Sequence, residues 1–90
     1  MYEFNNPNMA FLDKMIDHAV ERGLLWRVEA YHSAALIMLD TAAVDGTSTT
    51  GIQMLEEDVK YLHGRKRANG MMAWEMLVDL EYAESTRKAN

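Results

Sequence analysis

Apolar positions along this chain fall into stripes in three stretches and into an almost unbroken block in a fourth. In the first stretch Phe11, Leu12, Met15, Ile16, Ala19 and Val20 recur at one-turn spacing. Asp13, Lys14, Asp17, His18, Glu21 and Arg22 fill the positions between them. That period of about 3.6 residues predicts an amphipathic helix with the second set in water. Asn6 suits its N-cap, Pro7 its first turn, and Gly23 its C-terminal stop. Absorbing Gly23 into one long rod is the alternative, against a cost of about 1 kcal/mol for glycine inside a helix.

From Leu24 to Val44 the pattern changes. Ala34-Ala35-Leu36-Ile37-Met38-Leu39 is apolar all round, and Arg27, Glu29, His32, Ser33, Asp40 and Thr41 leave only a narrow wet face. Such a helix has to be covered from several directions, so it is expected at the centre of the fold. The turn-rich segment Gly46 to Gly51 ends it. Thr50 and Gln53 have the spacing of a capping box, and Ile52, Leu55, Val59 and Leu62 form a narrow 3-4-3 seam for a third helix. That helix ends at His63-Gly64 or runs to Asn69-Gly70. A fourth is expected over Met71 to Ser85, with Ala73, Trp74, Leu77, Val78 and Leu80 on its apolar side. Residues 1–5 and 86–90 read as loose ends.

The fold class expected is therefore all-α. It is a single domain, 1–90, built as a bundle of about four short helices around the central one. Val, Ile and Thr are too sparse, and alternation too brief, for a sheet protein.

Ninety residues, 49% apolar and 26% charged, describe one globular domain. So small a domain leaves apolar surface uncovered, and helices 2 and 4 offer more than a monomer of this size buries. A homodimer or a protein partner is expected to cover it. With no cysteine there is no disulfide, no thiol nucleophile and no cysteine-bound metal. No stretch reaches the roughly 18 apolar residues of a membrane helix, and MYEFNNPNM lacks the regions of a signal peptide, so the cytoplasm is the expected compartment. The net charge of −5 works against a general binder of nucleic acid or anionic membrane.

That charge is uneven. Residues 52–70 hold four basic side chains against three acidic ones, with Lys60, Arg65, Lys66 and Arg67 clustered near a helix end. Such a cluster suits a phosphate or an acidic surface, since arginine forks onto both; cations also simply favour a helix C-terminus. A second candidate surface is the apolar face of Met71, Met72, Trp74 and Met76, because methionine adapts to partners and tryptophan anchors interfaces.

Enzymatic and metal chemistry has little to stand on. Glu29 and His32 have the Glu-x-x-His spacing of a di-iron half-site, but no second such pair exists and both fall on the predicted wet side. Asp45-Gly46-Thr47 and GTSTTG contain the residues of phosphate loops, yet lack the preceding strand and the Gly-Lys pair. Ser33 adjoins His32 on a helix, where neighbours do not face each other. No catalytic residue, cofactor or metal ligand set is assigned. The leading expectation is a non-enzymatic inhibitor or adaptor, a type common among proteins of phages and mobile elements. Nucleic-acid or nucleotide binding through Lys60–Arg67 is the alternative, and a metal-binding helical bundle the third.

Overall fold

The computed structural model describes residues 1–67 together with 71, 72, 75 and 78. Among them stand three helices, α1 (Pro7–Glu21), α2 (Leu25–Val44) and α3 (Thr49–Gly64). Two short strands follow, β1 (Lys66–Arg67) and β2 (Met71–Met72). None of these helices is long and apolar enough to cross a membrane. The chain is mostly helical, as its periodicity implies, but the expected fourth helix does not begin at Met71. Met71 and Met72 instead pair antiparallel with Arg67 and Lys66. Glu75 and Val78 have helical backbone, and the rest of that stretch lies outside the described residues.

The helix boundaries follow from local chemistry. Asn6 accepts a hydrogen bond from the Asn8 N–H at 2.8 Å, with Pro7 just inside the helix. At the other end Gly23 takes φ +69°, while its N–H reaches the Val20 carbonyl and the Leu24 N–H the Ala19 carbonyl. This is a Schellman stop, so α1 and α2 are separate rods. Gly46 repeats it, at φ +78°, after α2. The cap of α3 differs from the capping box expected at Thr50: Ser48 accepts the Gly51 N–H at 3.1 Å, and Thr50 lies inside the helix. The serine at position 48 gains the same kind of cap bond with two more residues in the helix.

α2 packs most extensively on α1 and next on α3. The core consists of Met9, Ile16 and Ala19 from α1, Val28 and Ala35 from α2, and Val59 and Leu62 from α3. Leu12, Val20, Leu24, Tyr31, Met38, Leu39 and Leu55 pack around them, half-buried. The seam of α3 thus turns inward as its spacing implies. α1 is rotated from the expected stripe: Phe11 is exposed, while Met9 and Asp13 are buried. α2 is central, and among the described residues its cover lies on the side where Val28, His32 and Ala35 are buried.

The segment before α1 was expected to be loose, and it is tied to α3 instead. The buried Asp58 carboxylate accepts the Tyr2 hydroxyl at 2.6 Å and the backbone N–H groups of Asn5 and Asn6 at 3.0 and 2.9 Å. Burial and the bond to Asp58 push the Tyr2 phenol up to about 12, so it stays a donor. Asn5 Nδ2 adds a bond to the Met54 carbonyl at 3.1 Å. Tyr2 stacks on Tyr61 at 4.1 Å, with Phe4 edge-on to both rings.

Candidate binding surfaces

The four basic residues of the 60–67 cluster do not form one patch. Arg67 is buried. Its Nε donates to Asp17 Oδ1 at 2.7 Å, its Nη1 to the Leu62 carbonyl at 3.1 Å, and its Nη2 pairs with Asp13 Oδ1. Arg65, half-buried, pairs with the other oxygen of Asp13 and with Asp17 Oδ2 at 3.2 Å. Asp13 and Asp17 lie one turn apart on α1. Arg65 caps the end of α3 and Arg67 lies in β1, and both reach over that turn. Burial pushes the Asp13 carboxyl up, against the pull of Arg67 and then Arg65. Burial also works against charge on Arg65, but the attraction of Asp13 and Asp17 prevails and its pKa rises. The forks that were expected to grip phosphate are therefore seated on two carboxylates, and only Lys60 and Lys66 of the cluster are exposed.

Of the apolar face expected on the fourth helix, Met72 is half-buried. With Val59, Lys60, His63, Gly64 and Glu75 it lines a cleft of about 460 Å³. Met71 is placed in β2; Trp74 and Met76 lie outside the described residues.

Glu29 and His32 part company. Glu29 is exposed, whereas His32 turns into the core, its ring 4.4 Å from that of His63 on α3. Burial, then His63 and Arg67, lower the His32 pKa to about 3. Burial lowers that of His63 as well, against a hydrogen bond to the His32 backbone. Both rings are neutral at ordinary pH. Among the described residues no three His, Asp or Glu side chains converge as a metal site would need.

The surplus apolar surface expected on the second helix lies on the outward side of α2. Trp26, Ala30, Ser33, Ile37 and Val44 succeed one another at intervals of four, three, four and seven residues, all exposed and on one line. Trp26 and Ile37 are each 62% exposed and Val44 86%. Glu29, Leu36 and Asp40, also exposed, form one edge of this line. The other edge descends into a groove of about 560 Å³ between α2 and α3. Its walls include Ile37, Met38, Ala42, Met54 and Leu55, with Asp45 beside them. The signal for this surface was present in the 34–39 block. An all-round apolar helix in a domain this small must leave one side dry only by meeting something else.

Compared with known proteins, the chain matches no protein-family model, no curated protein sequence and no solved structure.

Proposed function

We propose that this protein is a non-enzymatic interaction protein of the cytoplasm, which acts by binding another protein on the outward face of α2 and the adjoining α2–α3 groove. The observation that carries this reading is the exposed, mostly apolar line from Trp26 to Val44, interrupted by Ser33, beside a groove in which Ile37, Met38, Ala42, Met54 and Leu55 stand among Asn5, Asn6, Thr41, Asp45 and Thr47. Isolated exposed apolar residues are ordinary, whereas a contiguous set marks a contact surface.

Charge specifies the partner's chemistry. Glu29 and Asp40 flank the line, Asp45 lies at the groove, and the chain's net charge is −5. An apolar segment with basic flanks, such as an amphipathic helix laid along the groove, complements that arrangement. Self-association, the other expectation, fits less well. Glu29 and Asp40 are eleven residues apart, about three turns, and so share one edge of α2. In an antiparallel pair of α2 helices that edge meets its own copy, and Glu29 faces Asp40. Like charges so placed disfavour the pair. A homodimer on this face is thus the second reading.

Ile37→Glu puts a charge in the middle of the line at a position exposed enough to leave folding stability within about 0.5 kcal/mol. A partner recovered from native lysate and then purified is expected to bind this variant at least tenfold more weakly, at least about 1.4 kcal/mol. Asp40→Lys with Asp45→Lys is expected to weaken the same complex. Equal retention by wild-type protein and Ile37→Glu, with thermal melting unchanged, rules out this face as the binding surface.

A further inference from the structure

We infer that the cleft between the end of α1 and the start of α2, beside the Trp26 end of the α2 face, is a binding site for a small phosphate-bearing anion. The cleft has a volume of about 250 Å³. His18 and Arg22, one turn apart on α1 and its cap, line one wall; Arg27 and Tyr31, one turn apart on α2, line the other. Met15 and Leu24 supply apolar wall, and no carboxylate lines the cleft. Two arginines, a histidine and a tyrosine therefore line one void in a chain of net charge −5.

Arg22 and Arg27 differ from the arginines of the 60–67 segment. Among the described residues Arg65 and Arg67 sit on Asp13 and Asp17, while neither Arg22, Arg27 nor His18 is in an ion pair. The attraction of a helix C-terminus for cations accounts for His18 and Arg22. It does not account for Arg27, which lies in the first turns of α2, where the helix dipole opposes positive charge. Its guanidinium lies 5.0 Å from the Trp26 ring centroid, a contact that leaves its N–H edges available. Two cations lining one cleft repel each other, and an anion bound between them relieves that repulsion.

The forked geometry of arginine and the paired positive charge favour a phosphate dianion over a single carboxylate. Size and field set the upper limit. The void is smaller than the 300–1,000 Å³ typical of drug-sized sites, and the net negative charge repels an extended polyanion. A small phosphate monoester, or phosphate itself, fits both limits.

Inorganic phosphate and ribose 5-phosphate, titrated separately into the full chain and followed by calorimetry and by ¹H–¹⁵N chemical shifts, test this at ionic strength matched with chloride. Saturable one-site binding is expected, with shift changes confined to residues 18–31. Arg22→Gln and Arg27→Gln, both at exposed positions, should each weaken it at least tenfold. Lys60→Gln should leave it unchanged. Tighter binding of the ester than of inorganic phosphate identifies an organophosphate as the ligand; equal binding identifies phosphate. The inference is overturned if chloride produces the same shifts, if both arginine variants bind as wild type does, or if the shifts centre on Lys60 and Lys66.

Discussion

Among the described residues four buried ionisable ones, Asp13, Arg67, His32 and Asp58, answer their loss of water in different ways, the first two by pairing with each other. Asp58 does so by hydrogen bonding: a hydroxyl and two backbone N–H groups converge on its carboxylate, and all three come from the segment preceding α1. Asp58→Ala would strand those donors and release the segment. A loss of about 2–4 kcal/mol is expected in urea unfolding, since each orphaned donor costs about 1–3 kcal/mol where it is shielded from water. Loss of the Tyr2–Tyr61 ring-current shifts should accompany it. A variant as stable as wild type would mean that the segment contributes nothing through Asp58. His32 answers by staying neutral. Its folded pKa of about 3 lies below the ordinary 6.5, so below pH 6.5 the unfolded chain takes up a proton that the folded chain refuses. Stability is therefore full above about pH 6.5 and declines as the pH falls toward 3. Between pH 7 and 5 one such histidine removes about 2 kcal/mol. His63 is shifted in the same direction. His32→Leu should flatten the slope in that window; an unchanged slope would show that His32 is not its source.

At the scale of elements, the two left-handed glycines do more than punctuate. Gly23 ends α1 and turns the chain so that α2 returns along it. A Cβ added there would meet nothing within 4 Å, so the cost of Gly23→Ala is that of the backbone alone. About 1–2 kcal/mol is expected for an L-residue in this conformation, or roughly 4–16 °C in Tm for a domain this small. A smaller shift in differential scanning calorimetry would mean that the turn relaxes out of the left-handed region. α2 itself shows how an element can be apolar on every side and still be half uncovered. Its two neighbours, α1 and α3, both lie against the side of Val28, His32 and Ala35. Ile37 and Val44 point the other way because a single helix cannot turn all its apolar residues toward one side.

For the whole molecule, the Asp13–Asp17–Arg65–Arg67 cluster joins α1 to the end of α3 and the strand pair, across more than forty residues of sequence. Such a centre stabilises little in itself, because desolvation offsets most of the attraction, but breaking it leaves charge buried without its counterpart. The double change Arg65→Glu with Arg67→Glu would set four carboxylates together, one of them at the buried position 67. A loss of at least 3–5 kcal/mol is expected, enough to unfold much of a domain this small. Lys60→Glu with Lys66→Glu, at exposed positions, should leave the melt nearly unchanged. If the double arginine change leaves the fold intact, the cluster does not hold the two regions together. Charge reversal of the arginines is consequently a test of folding, and binding through the basic segment has to be tested at the lysines.

Local chemistry is what the chain declares by itself. The Asn6-Pro7 start, the Gly23 stop, the inward seam of α3 and the helical class rest on contacts within a turn or two, and such contacts are visible as spacing. What spacing conceals is rotation about a helix axis and the identity of distant partners. Asp13 and His32 look like wet-face residues because they are polar, yet each is buried beside a group from the end of α3 or the strand that follows it, about thirty to fifty residues away. Arg65 and Arg67 look like an exposed cluster because they are adjacent in sequence, until two carboxylates on α1 draw them in. Only the tertiary structure decided which side of α2 was left open and that Arg22 and Arg27 share a cleft. Both depend on how three rods are set against one another, and a one-dimensional pattern of polar and apolar residues is compatible with several such settings.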